Sequence, residues 1–244
     1  MEENGVTIKS YNKIESDIKN VRQNIQVSPT LNMKLFNAAG YPSSHGIDTG
    51  HKIMEIPSPV SLLKAVKNET EMNGFRHAME RDGIAMVKFL KWLKEAVPAG
   101  NESELSVDRK LYELRAEQAN FKGISFDTIA GYKEHAAIVH YEATPETDIP
   151  LKPEGMLLLD SGAQYPDGTT DITRTIVLGP LSDEEKTDYT LVLKGFLQLQ
   201  NAVFPEGTCG TQLDVLARQA MWKAGINYFC LLYTSDAADE GLGV

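Results

Sequence analysis

The chain has 244 residues, 42% hydrophobic and 24% charged, an ordinary globular composition with core enough for one large or two small domains. Its formal net charge of −10 disfavours nucleic acid as the main partner, because phosphate binding needs clustered Lys and Arg. No apolar run approaches the ~20 residues of a membrane span, the polar N-terminus lacks a signal-peptide pattern, and Cys209 and Cys230 read as free thiols of a reducing compartment, which points to the cytoplasm.

Apolar positions at Ile8, Tyr11, Ile14, Ile18 and Val21 recur near helical spacing, so residues 8–22 are predicted helical. A short strand over Asn24 to Val27 follows, then a short helix over Leu31 to Ala38, opened by Ser28-Pro29-Thr30. Residues 40–59 hold Pro42, Pro57, Pro59, Gly46 and Gly50 and read as a linker, with a domain boundary near residue 58. A long helical region opens at Ser61 to Val66 and continues from Asn68 to Val97, its stripe running through Met72, Phe75, Met79, Ile84, Val87, Leu90, Trp92 and Leu93. Pro98-Ala99-Gly100-Asn101 stops it. A second helix is predicted over 106–120, with Leu111, Leu114 and Phe121 inward, then strands over Ile124 to Ala130 and Ala136 to Tyr141. Farther on, Ser182-Asp183-Glu184-Glu185 fits a capping box for a helix reaching about Val203. Phe204 to Thr208 breaks that helix, and a last one runs from near Thr211 to a left-handed stop at Gly225. The order α, α, β, β, β-hairpin, α, α suits an α+β domain with helices covering one face of an antiparallel sheet.

The hairpin carries the chemistry. Met156 to Leu159 is an apolar strand ending at Asp160, Pro166-Asp167-Gly168 is a turn in which Gly accepts positive φ, and Asp171 to Leu178 is an alternating, β-branched return strand. Folding about Pro166 and Asp167 sets Asp160 opposite Thr173 and Asp171 one diagonal step away on the same face, about 5 to 8 Å off. Two close carboxylates on an apolar hairpin repel each other unless a divalent cation joins them; equally, they fit a solvated hairpin whose Asp residues cap turns. By itself His140, at the end of the Ala136 to Tyr141 strand, reads as a hydrogen-bonded structural residue, although an imidazole can also donate or accept a proton near neutral pH. His45, His51, His77 and His135 show no ligand spacing. Arg174 reads equally as a surface strand residue and as a partner supporting a site carboxylate.

The residues Asp160 to Tyr165 and Asp167 to Thr175 resemble the first two metal ligands of the Xaa-Pro aminopeptidases (aminopeptidase P), pita-bread metallopeptidases with a two-metal centre, usually manganese. The resemblance implies that Asp160 binds one ion and Asp171 bridges both. Ala136 to Tyr141 is similar to the family segment that ends in an active-site His, which implies that His140 contacts substrate and stabilises the tetrahedral intermediate. Ala65 to Glu71 is similar to the same family's entry helix, and the elements before residue 40 resemble the closing units of the creatinase-like domain of the long form. The expected fold is therefore a pita-bread (creatinase/aminopeptidase-like) catalytic domain over 58–229, preceded over 1–57 by the end of an α/β creatinase-like N-terminal domain and its linker. The expected activity is metal-dependent release of the residue preceding a second-position proline, with Xaa-Pro peptides as partners and neither nucleic acid nor membrane. A homodimer of the full-length protein stays open.

After Phe229 the sequence departs from the family. A Gly- and His-rich segment with the third ligand and two later Glu ligands is expected there, but Cys230 to Glu240 has neither helical nor strand logic. Residues 230–244 read as a non-native read-through tail on a C-terminally truncated chain. With two Asp of the ligand set, that chain is expected to be unstable or aggregating and inactive as a peptidase. The alternatives are an Xaa-Pro dipeptidase (prolidase), a metal-free creatinase-like hydrolase, which the paired Asp disfavour, and a non-catalytic pita-bread peptide-binding module.

Overall fold

A computed structural model describes residues 5, 7–21, 24–27, 33–38, 53–56 and 58–227. The chain divides into two compact units, residues 1–72 and 73–244. The boundary expected near residue 58 falls beside α3 (Pro59–Ala65), within the first unit.

In the first unit, a 3-10 turn (Tyr11–Lys13) leads into α1 (Ile14–Lys19), followed by β1 (Ile25–Val27), α2 (Met33–Ala38) and β2 (Ile53–Glu55). β1 and β2 are parallel, with Ile25 opposite Ile53 and Val27 opposite Glu55. A parallel pair needs a crossover, and α2 lies between the two strands in sequence. This corrects the reading of residues 40–59 as linker alone, since β2 lies inside that span. The Pro and Gly residues that suggested a linker fall mostly outside the described residues.

The second unit is built on α4 (Glu69–Ala99) and α5 (Glu104–Ala116). The face of α4 that is buried runs through Ala78, Asp82, Ala85, Met86, Phe89, Leu93 and Val97, at three- and four-residue steps. Val107, Leu111 and Leu114 of α5 join it in the core. Opposite lies an antiparallel sheet of β4 (Ile129–Tyr132), β5 (Met156–Ser161) and β8 (Ile172–Val177), in that order. Its pleat sorts the side chains: Leu157 and Leu159 are fully buried against the helices, while Met156, Leu158 and Asp160 on the other face are half-buried. A smaller sheet holds β3 (Gly123–Ile124), β6 (Ala163–Tyr165) and β7 (Gly168–Thr169). Two helices close the order. α6 (Asp183–Gln200) has the expected reciprocal capping box between Ser182 and Glu185, and α7 (Gly210–Lys223) precedes Gly225 at φ +75°. Gly195 of α6 lies against the backbone of Ala217 in α7, where no Cβ would fit.

Four expectations need correction. Of the stripe expected on α4, Met72, Met79, Ile84 and Val87 are exposed and only Leu93 is among the helix's buried residues, the buried face running through different positions. The strand expected over Ile124 to Ala130 is two strands in different sheets, β3 on β6 and β4 on β5, because the hairpin they pair with itself passes from one sheet to the other. The strand expected over Ala136 to Tyr141 is absent. A 3-10 turn (Lys133–Ala137) folds back over Gly131, so close to Ala136 that a Cβ there would collide, and Ile138 and Val139 are exposed. Finally, Gly168 does not have the positive φ assigned to it. Its lack of a side chain matters because the hairpin tip packs on α4: a Cβ would press on Ala78 and Phe75, and a Cβ on Gly74 would overlap the Asp167 carbonyl.

Candidate metal centre

The hairpin keeps one register along its length. Asp160 pairs with Thr173, as the turn position predicts, and beyond the break Gln164 pairs with Thr169 and Tyr165 with Gly168. Gly162 and Asp171 fall at the break. A Cβ on Gly162 would overlap the Ser125 hydroxyl and the Thr170 carbonyl, so this crossing from one sheet to the other demands glycine. Pleat alternation through Asp160 and Leu158 on one strand and Thr173 and Thr175 on the other carries Asp171 to the face turned away from the core.

Asp171 is exposed but its neighbours are anchored. Ile172 is buried in the core, and Thr170 is almost wholly buried. The Thr170 hydroxyl donates to Asp82 Oδ2 at 2.8 Å and accepts from the Ala163 N–H at 2.9 Å. Asp82 in turn accepts two hydrogen bonds from Arg115, from Nε at 2.7 Å and Nη2 at 3.0 Å, and both side chains are fully buried. None of Asp82, Arg115 and Thr170 was singled out from sequence. The signal was there: Asp82 is a charged residue on an otherwise apolar helical face, and only a buried partner makes that tolerable. The hairpin tip has its own tie, an ion pair of Arg81 with Asp167, with the guanidinium also 4.7 Å from the Tyr165 ring centre. The hydrogen bond from Arg81 holds the Asp167 carboxyl below its usual range.

Asp160 shows the feature most suggestive of a missing ligand. Its Oδ1 is buried and has no hydrogen-bond partner among the described residues. Such an atom calls for an unseen water or ion. On the same face of the sheet, a cleft of about 460 Å³ is lined by Lys133, Ala136, Met156, Leu158, Thr175 and Glu185. A cavity of similar size, about 490 Å³, lies between α6 and α7 but is lined by Leu191, Lys194, Leu197 and Gln219 among others, with no acid, Cys or His. Among the described residues, no group of three or more His, Cys, Asp or Glu gathers as a metal site.

His140 is exposed, at φ +55°, in the loop after the 3-10 turn. Arg174 donates from Nη1 to the Thr173 carbonyl at 2.7 Å, and the register pairs it with Leu159, on the sheet face opposite that of Asp160.

Residues 73–240 match the metallopeptidase family M24, and residues 1–71 match the creatinase/prolidase N-terminal domain. The chain belongs to metallopeptidase family M24. It is 40% identical over 232 residues to the probable Xaa-Pro aminopeptidase P of Botryotinia fuckeliana, a match covering 93% of this chain and 36% of that protein. The crystal structure of the X-prolyl aminopeptidase of Caenorhabditis elegans, described as a cytosolic enzyme with a di-nuclear active site, matches with a TM-score of 0.79 at 33% identity, over 93% of this chain and 37% of its own. The Xaa-Pro dipeptidase of Bacillus anthracis matches with a TM-score of 0.68 at 25% identity, over 87% of this chain and 57% of its own. The chain thus spans little more than a third of the Botryotinia fuckeliana and Caenorhabditis elegans aminopeptidases. The pita-bread architecture, with a creatinase-type domain before it, is the M24 arrangement expected from sequence. No helix among the described residues is long and apolar enough to cross a membrane.

Proposed function

We propose that the whole protein is a metal-dependent aminopeptidase that releases the N-terminal residue from peptides with proline in second place. One observation on this chain's own atoms carries the reading: the buried, unpartnered Oδ1 of Asp160, at the end of the strand pair that also leads to Asp171. A buried carboxylate oxygen without a partner is costly, and a cation removes that cost. Two carboxylates suit a hard divalent ion, Mn²⁺ in our reading. In this assignment Asp160 and Asp171 would both serve as ligands of the metal centre; the di-nuclear site described for the C. elegans relative supports a pair of ions. When bound, the two ions supply Lewis acidity and activate water for peptide hydrolysis.

The chain's own groups do the rest. The exposed His140 donates a hydrogen bond to the scissile carbonyl and stabilises the charge that develops there. The bond attacked precedes proline, whose nitrogen carries no N–H. A site shaped for that ring therefore excludes ordinary peptides. The apolar residues lining the cleft, Ala136, Met156 and Leu158, can take up substrate surface without competing hydrogen bonds. The cytosolic location described for the C. elegans enzyme supports the same compartment here.

The test is made on the full-length protein. Asp171→Ala is expected to abolish both metal loading and turnover of an Xaa-Pro peptide, while His140→Ala lowers turnover by roughly 10²- to 10⁴-fold with metal content intact. Equal metal loss in both variants sinks the division of roles. The dipeptidase relative from B. anthracis supports a second reading, prolidase activity; cleavage of tri- and tetrapeptides decides against it.

A further inference from the structure

Glu104 is a fully buried carboxylate in the first turn of α5, and the proposed chemistry makes no use of it. A buried ionised carboxylate is tolerated only where it is well hydrogen-bonded. Glu104 is bound by three groups of one segment. Oε1 accepts from the Tyr132 N–H at 2.8 Å, Oε2 accepts from the Tyr141 hydroxyl at 2.8 Å, and His135 Nδ1 lies 2.9 and 3.0 Å from the two oxygens. The start of α5 adds a favourable helix dipole. Burial raises the Tyr141 phenol above its usual range, so it remains a donor at neutral pH. The rings of His135 and Tyr141 pack against each other at a tilt of 37°, 4.6 Å between centres.

The same segment carries two of the four non-glycine residues at positive φ among the described residues, Lys133 at +50° and His140 at +55°. Each sits directly beside a Glu104 partner: Lys133 follows Tyr132 and His140 precedes Tyr141. A side chain in that backbone region is unfavourable, and it persists only where the surroundings impose it. The fastening points of the loop therefore coincide with its strained points.

We infer that Glu104 is the positioning residue of the loop that presents His140, clamping both ends of residues 132–141 so that His140 is held in its left-handed conformation. The inference rests on the role proposed above for His140. The clamp itself is a statement about residues 132–141 and is measured without turnover.

The experiment follows amide hydrogen exchange and the His140 ring signals by NMR in the full-length protein. Glu104→Gln keeps the size but turns one acceptor oxygen into a donor. It is expected to speed exchange at the Tyr132 and Tyr141 amides on the order of tenfold or more, while the Leu157 and Leu159 amides at the centre of the sheet keep their rates. The His140 ring signals should move toward those of a solvated histidine. Adding His140→Gly, which accepts positive φ without cost, should restore part of the Tyr141 amide protection. Unchanged exchange at Tyr132 and Tyr141 overturns the clamp. So does equal acceleration at Leu157 and Leu159, because Glu104 would then contribute only global stability. If Glu104→Gln does not fold, Tyr141→Phe removes one hydrogen bond and is read on the same amides, with the same outcomes deciding. A full-length His140→Ala variant with unaltered turnover would remove the catalytic role of His140 while leaving the clamp in place. The two readings therefore fail separately.

Discussion

Asp160 stands at the end of a strand whose other face is the hydrophobic core, with β4 on one side and β8 on the other, and Asp171 lies between two anchored residues. His140 stands in a loop between a 3-10 turn and Tyr141, tied down by side-chain hydrogen bonds to one buried carboxylate. The carboxylates are placed by a ladder of backbone hydrogen bonds and by apolar burial, both spread over many residues. The histidine is placed by a few contacts at one point. The first kind of support resists the loss of any one group; the second fails locally when one acceptor is removed.

That contrast can be broken most severely at Asp82. Asp82→Ala leaves Arg115 buried without its partner and frees Thr170, which is expected to cost about 3–5 kcal/mol of stability in urea unfolding. Replacing both, Asp82→Ala with Arg115→Leu, should recover most of the loss. A single-variant loss below about 1 kcal/mol would mean that the ion pair does not brace the hairpin.

A smaller effect is expected at the crossing of the two sheets. Gly162→Ala forces a methyl into the space of the Ser125 hydroxyl and the Thr170 carbonyl, at a cost of about 1–3 kcal/mol in the same measurement. If alanine were accepted freely, the placement of Asp171 would not depend on this close fit.

The smallest effect lies at the hairpin tip. Asp167 is held below its usual carboxyl range by the hydrogen bond from Arg81. A carboxyl depressed in the folded state contributes stability that is present above its unfolded value and lost as pH falls through its folded value. Between about pH 6 and about pH 2, the parent should therefore lose slightly more stability than Arg81→Gln. Equal pH slopes would show that the tip is held by packing of Gly168 on α4 and not by charge.

Much of the sheet was legible because its signals are local. Alternation and the Pro166-Asp167 turn set the pairing of Asp160 with Thr173, since a two-residue loop leaves one register. The capping box of Ser182 and Glu185 and the left-handed Gly225 were read from residue type alone. The loop of His140 was not legible. Ala136, Ile138, Val139 and Tyr141 read as a strand, whereas the segment is fastened to Glu104, a buried residue distant in sequence that accepts from the Tyr132 N–H and the Tyr141 hydroxyl. Gly168 was read for its φ and is required for its closeness to α4.

By itself, then, the sequence determined the M24 family, the order of most elements and the strand pair that carries Asp160 and leads to Asp171. Period, turn chemistry and caps act within a few residues of where they are written. Only the tertiary structure decided which charged residues are buried and with whom: Asp82 with Arg115 and Thr170, and Glu104 with Tyr132, His135 and Tyr141. Those partnerships join residues from separate elements, and the desolvation that makes them obligatory does not exist until the core has closed over them.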